Sequence, residues 1–170
     1  MRKIDIGILR AACIKFDFIG DFMLNGSLVR GENSVGVVDG ALCFCGKCYD
    51  TLCFMPQSPQ NCFVLHDVVI GVGFHWERKE KQTFKGELRF IVEDGEVRAI
   101  NRLFVEDYLV SVISSEMSAT SSLEFLKAHT IISRSWLYAQ LEREKRVTCA
   151  QLGYENDDET VRWYAREDHR

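Results

Sequence analysis

A single acid, Glu116, stands in a run of small hydroxyl residues between two apolar segments, VISSEMSATSSLEF at residues 112–125. A carboxyl group can act as a general acid and base when its surroundings keep it protonated near neutral pH. The same residue can also be an ordinary charge before a helix, where the helix dipole favours an acid. Residue types alone favour the ordinary charge, and both interpretations stay open.

A group of cysteines offers a different chemistry. Cys43, Cys45, Cys48 and Cys53 follow C-x-C and C-x-x-C spacings, which are typical of zinc or iron–sulfur ligands. Gly46-Lys47, however, reads as a hairpin turn, and a strand before it would place Cys43 and Cys45 on one face. We therefore favour structural thiols and keep a metal-binding protein as an alternative. The total of seven cysteines is odd, so they cannot all pair within the chain.

The segment FHWERKEK at residues 74–81 combines aromatic side chains with mixed charge. The indole of Trp76 has a flat apolar face that can stack on a sugar ring. The simpler interpretation is a strand end that runs into a solvated loop.

Strands are predicted over most of the first hundred residues from apolar alternation and turn signals. Asn25-Gly26, Asp39-Gly40 and Glu93–Glu96 mark hairpins, and Gly20-Asp21 is read as another turn. The predicted strands cover residues 4–9, 16–19, 35–38, 41–45, 62–72, 84–92 and 97–104.

Two helices are predicted after these strands. Residues 105–117 are apolar at helical spacing, and a second helix begins near Ser121, where Ser121 and Glu124 form a capping box. This second helix runs to about Arg146, is apolar over a wide arc, and should lie centrally in the core. The predicted class is α+β: an N-terminal, mostly antiparallel β region followed by two packed helices that carry the motif.

Composition sets the broader limits. A chain of 170 residues that is 46% hydrophobic and 27% charged suits one globular domain. The net charge of −4 gives no basic footprint for nucleic acid, and no apolar run is long enough for a membrane span. Asp5 interrupts the apolar N-terminus, which therefore resembles a strand more than a signal peptide.

Residues 101–136 resemble the signature of the SpoIID/LytB family, the sporulation stage II protein D and amidase-enhancer domain. That signature runs N-x-h-x-x-E-x-Y-L-x-G-V-V-x-x-E-M-P, then S-W-P-x-E-A-L-K-A-Q-A-V-A-A-R-T-Y. The positions in register are Asn101, Glu106, Tyr108, Leu109, Val112, Glu116, Met117, Thr120, Glu124, Leu126, Lys127, Ala128, Arg134 and Trp136. The chain departs from it at Ser111, Ser118, Ser121-Ser122 and His129.

The resemblance implies a peptidoglycan lytic transglycosylase with Glu116 as catalytic acid and base and Arg134 as a substrate contact. Its partners would be peptidoglycan glycan strands. The alternative is a non-catalytic glycan-binding module that enhances a cell-wall amidase. The family also implies an extracytoplasmic location, in the periplasm or the cell wall.

The C-terminal end resembles the start of the family's His…Cys…His-Cys zinc cluster, with His169 as its first ligand. One histidine cannot hold a structural zinc, so we expect no cofactor in this chain and zinc only in a longer form. The predicted organisation is one domain truncated at its C-terminus. Its parts are a β-rich region (1–104), a helical motif region (105–146) and a polar tail (147–170).

Overall fold

The computed structural model describes residues 2–70, 75, 77–118 and 120–152. Within them lie ten strands and two helices. The strands are β1 (Lys3–Ala11), β2 (Cys13–Leu24), β3 (Ser27–Val38), β4 (Ala41–Phe44), β5 (Lys47–Tyr49), β6 (Thr51–Pro56), β7 (Cys62–Ile70), β8 (Arg78–Lys85), β9 (Glu87–Glu93) and β10 (Glu96–Phe104). The helices are α1 (Val105–Glu116) and α2 (Leu123–Leu152).

All ten strands belong to one sheet, in the order β1-β10-β9-β6-β2-β3-β4-β5, with β7 between β2 and β8. The pairs β9–β10, β6–β9, β2–β6, β2–β3, β3–β4, β4–β5, β2–β7 and β7–β8 are antiparallel. One side of β2 pairs with β3, while its other side pairs first with β7 and then with β6. The sheet therefore branches at β2.

Two-residue turns fix the register of four hairpins. Asn25-Gly26, Asp39-Gly40, Cys45-Gly46 and Asp94-Gly95 all have positive φ at both residues, between 48° and 82°. This is the type I′ geometry, whose twist matches that of the adjoining strands. Three of these turns have the Asn-Gly or Asp-Gly sequences that tolerate this geometry well, whereas the fourth places a cysteine there.

Gly20 forms an irregularity inside β2. Its φ is 99°, and the pairing of β2 with β3 shifts register between Phe18 and Phe22. A β-carbon at Gly20 would lie 2.4 Å from Oδ1 of Asn61, whose Nδ2 donates a 2.6 Å hydrogen bond to the carbonyl of Asp21. The predicted turn at Gly20-Asp21 is thus a bulge that re-aims a long strand.

Phenylalanine side chains dominate the core of the sheet. The ring of Phe16 lies 5.0 Å from that of Phe90 and 5.6 Å from that of Phe54, and Phe18 stacks on Phe22 at 4.1 Å. The members of this group that are fully buried are Phe16, Phe22, Phe54, Phe63 and Phe90. Each aromatic pair adds roughly 0.5–1.5 kcal/mol beyond its burial of apolar area.

A buried acid links the first strand to two arginines. The side chain of Asp5 is 3% exposed, and Arg102 donates to it through Nε at 2.6 Å and Nη2 at 3.2 Å. Arg89 places a second guanidinium 3.5 Å from the same carboxylate. A carboxylate removed from water needs such partners, because an unpaired buried charge is strongly unfavourable.

The predicted α+β class is wrong. The described part of the chain is mostly antiparallel β, with one large sheet and two helices rather than a balanced pair of regions. Apolar alternation identified only segments of several strands, because strand pairing continues through polar residues such as Glu32 and Asn33 of β3. It also missed β5, β6 and the charged first half of β8, which lack a continuous apolar alternation.

The chain divides into two compact units. One contains Asp5–Arg102 and the other contains Met1–Ile4 together with both helices. In the helical unit α1 and α2 are in contact, and Leu109, Leu137 and Leu141 are buried. The single truncated domain stays a prediction, and residues 153–170 of its proposed polar tail lie outside the described residues.

Only one stripe of α2 is buried, contrary to the expectation of a central helix. Leu137 and Leu141 are 1% and 0% exposed, whereas Phe125, Ile132 and Trp136 are 50%, 66% and 41% exposed. Phe125, Ile132 and Trp136 therefore lie on an accessible face of the helix.

Candidate functional site

The candidate site begins with α1, which positions Glu116. The helix starts after Phe104, where the N–H of Val105 donates a 3.0 Å hydrogen bond to the carbonyl of Arg2. Glu106 and Asp107 lie in the first turn, at the positive end of the helix dipole. The backbone places Glu116 as the last helical residue, so it ends a helix and does not begin one.

Met117 stops the helix. Its backbone is extended, with φ −117° and ψ 140°, and its N–H still donates a 3.0 Å hydrogen bond to the carbonyl of Ile113. Both side chains are half-buried.

The hydroxyl residues after Glu116 form a turn of their own. Ser118 Oγ accepts a 3.2 Å hydrogen bond from the N–H of Thr120 and lies 2.7 Å from the hydroxyl of Thr120. The carbonyl of Ser118 accepts the N–H of Ser121 at 3.0 Å. Ser118 occupies the position where the family signature has proline, and its hydrogen bonds order the connection that proline would stiffen.

The N-cap of α2 is Ser122, so the predicted capping box of Ser121 and Glu124 is wrong by one residue. Ser122 Oγ accepts the N–H of Phe125 at 3.3 Å, and its carbonyl accepts the N–H of Leu126 at 3.0 Å. Glu124 instead forms an ion pair with Lys127 at 2.9 Å. The conclusion that the hydroxyl run caps α2 independently of Glu116 is unchanged.

Arg134 is held by Glu106. Its guanidinium forms an ion pair with the carboxylate of Glu106, which joins the middle of α2 to the first turn of α1. This hydrogen bond raises the pKa of Arg134. Both side chains are about half exposed, at 45% and 47%, so water competes with the pair.

This ion pair separates Arg134 from the predicted catalytic position. Glu106 and Glu116 are ten positions apart on α1, which corresponds to about 15 Å along the helix axis. The structure thus brings Arg134 to the N-terminal end of α1 and does not place it beside the end that carries Glu116. A glycan contact for Arg134 stays a prediction, and this contact would lie at a distance from Glu116.

The partner of Arg134 was missed by sequence reasoning, although both residues belong to the quoted signature. The spacing of 28 residues carries no geometric signal, because it depends on how α1 and α2 pack. Two other predicted residues, Trp76 and His169, lie outside the described residues. Their roles as sugar platform and zinc ligand stay predictions.

The cysteine cluster differs from its predicted arrangement. The turn is Cys45-Gly46, so β4 ends at Phe44 and Cys45 does not share a strand face with Cys43. Instead Cys43 faces Cys48 on β5. Within the described ranges, no group of three or more His, Cys, Asp or Glu side chains is arranged to hold a metal ion.

The thiol of Cys53 lies elsewhere, on β6. It is half-buried, and its Sγ is 4.0 Å from Oε2 of Glu87. Burial raises the pKa of this thiol, and the neighbouring Glu87 carboxylate raises it further. Both effects disfavour the thiolate that a metal or an electrophile would need.

The comparisons with known proteins agree with the signature. Residues 93–169 match the model of the SpoIID family, described as Stage II sporulation protein. This stretch includes Glu116 and Arg134 and carries a SpoIID segment, so the predicted resemblance is confirmed. No curated protein and no solved structure matches the chain.

The match supports a coarse functional class. The matched segment is similar to the SpoIID family, which is linked to cell-wall hydrolysis, and it indicates a cell-wall-related role of the sporulation type. Across the described part of the chain, no helix has both the length and the apolar character needed to cross a membrane.

Proposed function

We propose that the protein is a peptidoglycan lytic transglycosylase that cleaves the bond between N-acetylmuramic acid and N-acetylglucosamine. The family match over residues 93–169 is the observation that carries this proposal, since this range contains Glu116, which is in register with the acid of the signature. The backbone supports the assignment, because the last residue of α1 lies at the negative end of the helix dipole. That position favours a neutral carboxylic acid over a carboxylate.

One carboxyl group is enough for this reaction. Most glycosidases use two, one as acid and one as nucleophile or as base for water. In the proposed reaction Glu116 protonates the leaving glycosidic oxygen, and the 6-hydroxyl of the muramic acid attacks its own C1. The carboxylate then takes the proton of that hydroxyl. The products are a free glucosamine 4-hydroxyl and a 1,6-anhydro end, and no water is consumed.

Glycan cleavage tests the proposal directly. Purified glycan strands are incubated with the full chain, and the products are analysed by mass spectrometry for 1,6-anhydro ends. We expect such ends from the wild type and a loss of about 10²–10⁴-fold in rate for Glu116→Gln, the usual range for removing a general acid or base. Glu32→Gln is the matched control, because this glutamate is exposed on β3. Anhydro products that persist at the wild-type rate in Glu116→Gln would refute the assignment.

A second candidate is the glycan-binding module that enhances a cell-wall amidase. The exposed apolar face of α2, with Phe125, Ile132 and Trp136, favours a protein partner, since large apolar side chains gathered on one surface often mark an interface. The same assay separates the two. Wild-type protein that yields no anhydro ends but raises the rate of an added cell-wall amidase would support the module and exclude the enzyme.

A further inference from the structure

The four strands β2 to β5 carry a row of thiols on the outer face of the sheet. Cys13 pairs with Gly36, Gly36 with Cys43, and Cys43 with Cys48, so these residues form one line across the strands. The adjacent line, Ile14, Val35, Leu42 and their neighbours, is buried in the phenylalanine-rich core. Since side chains alternate between faces, the thiols point away from that core.

Within this row, Cys43 and Cys48 are direct cross-strand neighbours. The type I′ turn at Cys45-Gly46 makes Phe44 and Lys47 the closing hydrogen-bonded pair of the hairpin. Hydrogen-bonded and non-hydrogen-bonded pairs alternate along antiparallel strands, so Cys43 and Cys48 form a non-hydrogen-bonded pair. Such pairs have a Cα separation of about 4.5 Å, the closer of the two spacings.

That spacing lies within the range that a disulfide requires. Disulfide-bonded cysteines have Cα atoms about 4.4–6.8 Å apart, and their β-carbons must face each other. Both conditions follow from the register of β4 and β5. In this structure Cys43 and Cys48 are free thiols, half-buried and exposed respectively, so a small reagent can reach them.

The cysteines on the other described strands lack a facing thiol. Cys13 is separated from Cys43 by the strand that carries Gly36, which makes about 9–10 Å between Cα atoms and is too far for a bond. Cys53 faces Arg89, and Cys62 faces Lys85. Among the described residues, the facing pair of thiols is therefore Cys43 with Cys48.

We infer that Cys43 and Cys48 are a thiol–disulfide exchange site that takes small-molecule disulfides such as oxidised glutathione. One protein thiolate attacks the small disulfide, forms a mixed disulfide and releases one thiol. The facing thiol loses its proton, attacks the protein sulfur of that intermediate and releases the second small thiol. The protein gains one S–S bond and loses two hydrogens, while the small disulfide is reduced to two thiols.

Peptide mapping of oxidised protein tests this site. The folded full chain is equilibrated with mixtures of oxidised and reduced glutathione, and the remaining thiols are blocked by alkylation. Trypsin and chymotrypsin cut after Phe44, Lys47 and Tyr49, which places Cys43, Cys45 and Cys48 on three separate peptides. We expect a linked pair containing Cys43 and Cys48, lighter by two hydrogens than the separate peptides and separated again by reduction.

Variants make the assignment specific. Cys43→Ser and Cys48→Ser should each abolish the linked pair, whereas Cys13→Ser and Cys45→Ser should leave it. Circular dichroism checks that each variant retains its strands, and size-exclusion chromatography checks that the bond forms within one chain. Three results would overturn the inference: a bond from Cys45 to Cys48, bonds between chains only, or glutathione mixed disulfides without any internal bond. None of these measurements depends on glycan cleavage.

Discussion

Replacing Asp5 by asparagine tests whether the buried ion pairs stabilise the sheet. The substitution keeps the shape of the side chain but leaves two guanidiniums, those of Arg102 and Arg89, facing a neutral amide. Breaking a buried pair typically costs about 3–5 kcal/mol. The side chains of these arginines are 22% and 29% exposed, so partial hydration lowers the cost. We expect Asp5→Asn to lower the free energy of unfolding by about 2–4 kcal/mol.

Urea unfolding followed by far-ultraviolet circular dichroism measures this loss. The matched control is Asp21→Asn, which removes an Asp–Arg pair of the same chemistry in the same unit, with the side chains of Asp21 and Arg30 at 41% and 63% exposure. We expect the Asp21→Asn control to unfold at the same urea concentration as the wild type. The loss in Asp5→Asn should also persist in 1 M salt, because buried charges are weakly screened. Equal effects of the two variants would refute the argument from burial.

Three further predictions concern single residues of the sheet and the helices. Gly20→Ala should destabilise the protein by about 1–3 kcal/mol, because the new β-carbon meets the side chain of Asn61. A double variant that also removes the Asn61 side chain should recover part of the lost melting temperature. Because burial raises the pKa of Cys53, less thiolate forms at a given pH. The pH midpoint of Cys53 alkylation should therefore lie above about 8.5, the usual pKa of a cysteine thiol. A midpoint at or below that value would contradict the burial argument. If Arg134 contacts glycan, Arg134→Ala should raise the KM for glycan cleavage about tenfold or more, and Glu106→Gln should raise it less. An equal rise in KM for both variants would instead make Arg134 a positioning residue.

The bounds of the first helix were predicted closely from the sequence. The prediction of a helix over residues 105–117 agrees with α1 to within one residue, because apolar spacing and the change from strand pattern both fall at Val105. The cap of α2 was misplaced by one residue, since Ser121 and Ser122 are equally able to cap and only the backbone decides between them. Local signals are sufficient where a helix depends on neighbours in sequence.

The sheet was predicted less well, because its strands depend on partners far along the chain. β2 pairs with β3, β6 and β7, and none of these pairings can be read from the residues of β2 alone. The site shows the same limit. Glu116 is a candidate because of a linear signature, whereas the pairing of Arg134 with Glu106 and of Cys43 with Cys48 depends on how separate elements meet.

The border strands of the sheet also affect whether two copies of the protein can pair edge to edge. β8 is paired to β7, and its sequence RKEKQTFK carries four basic side chains and one acidic side chain. β5, at the end of the main strand order, has three residues and begins with Lys47. Charged and very short border strands repel or fail to template another copy of the same strand. These two borders therefore resist the addition of a strand from a neighbouring molecule.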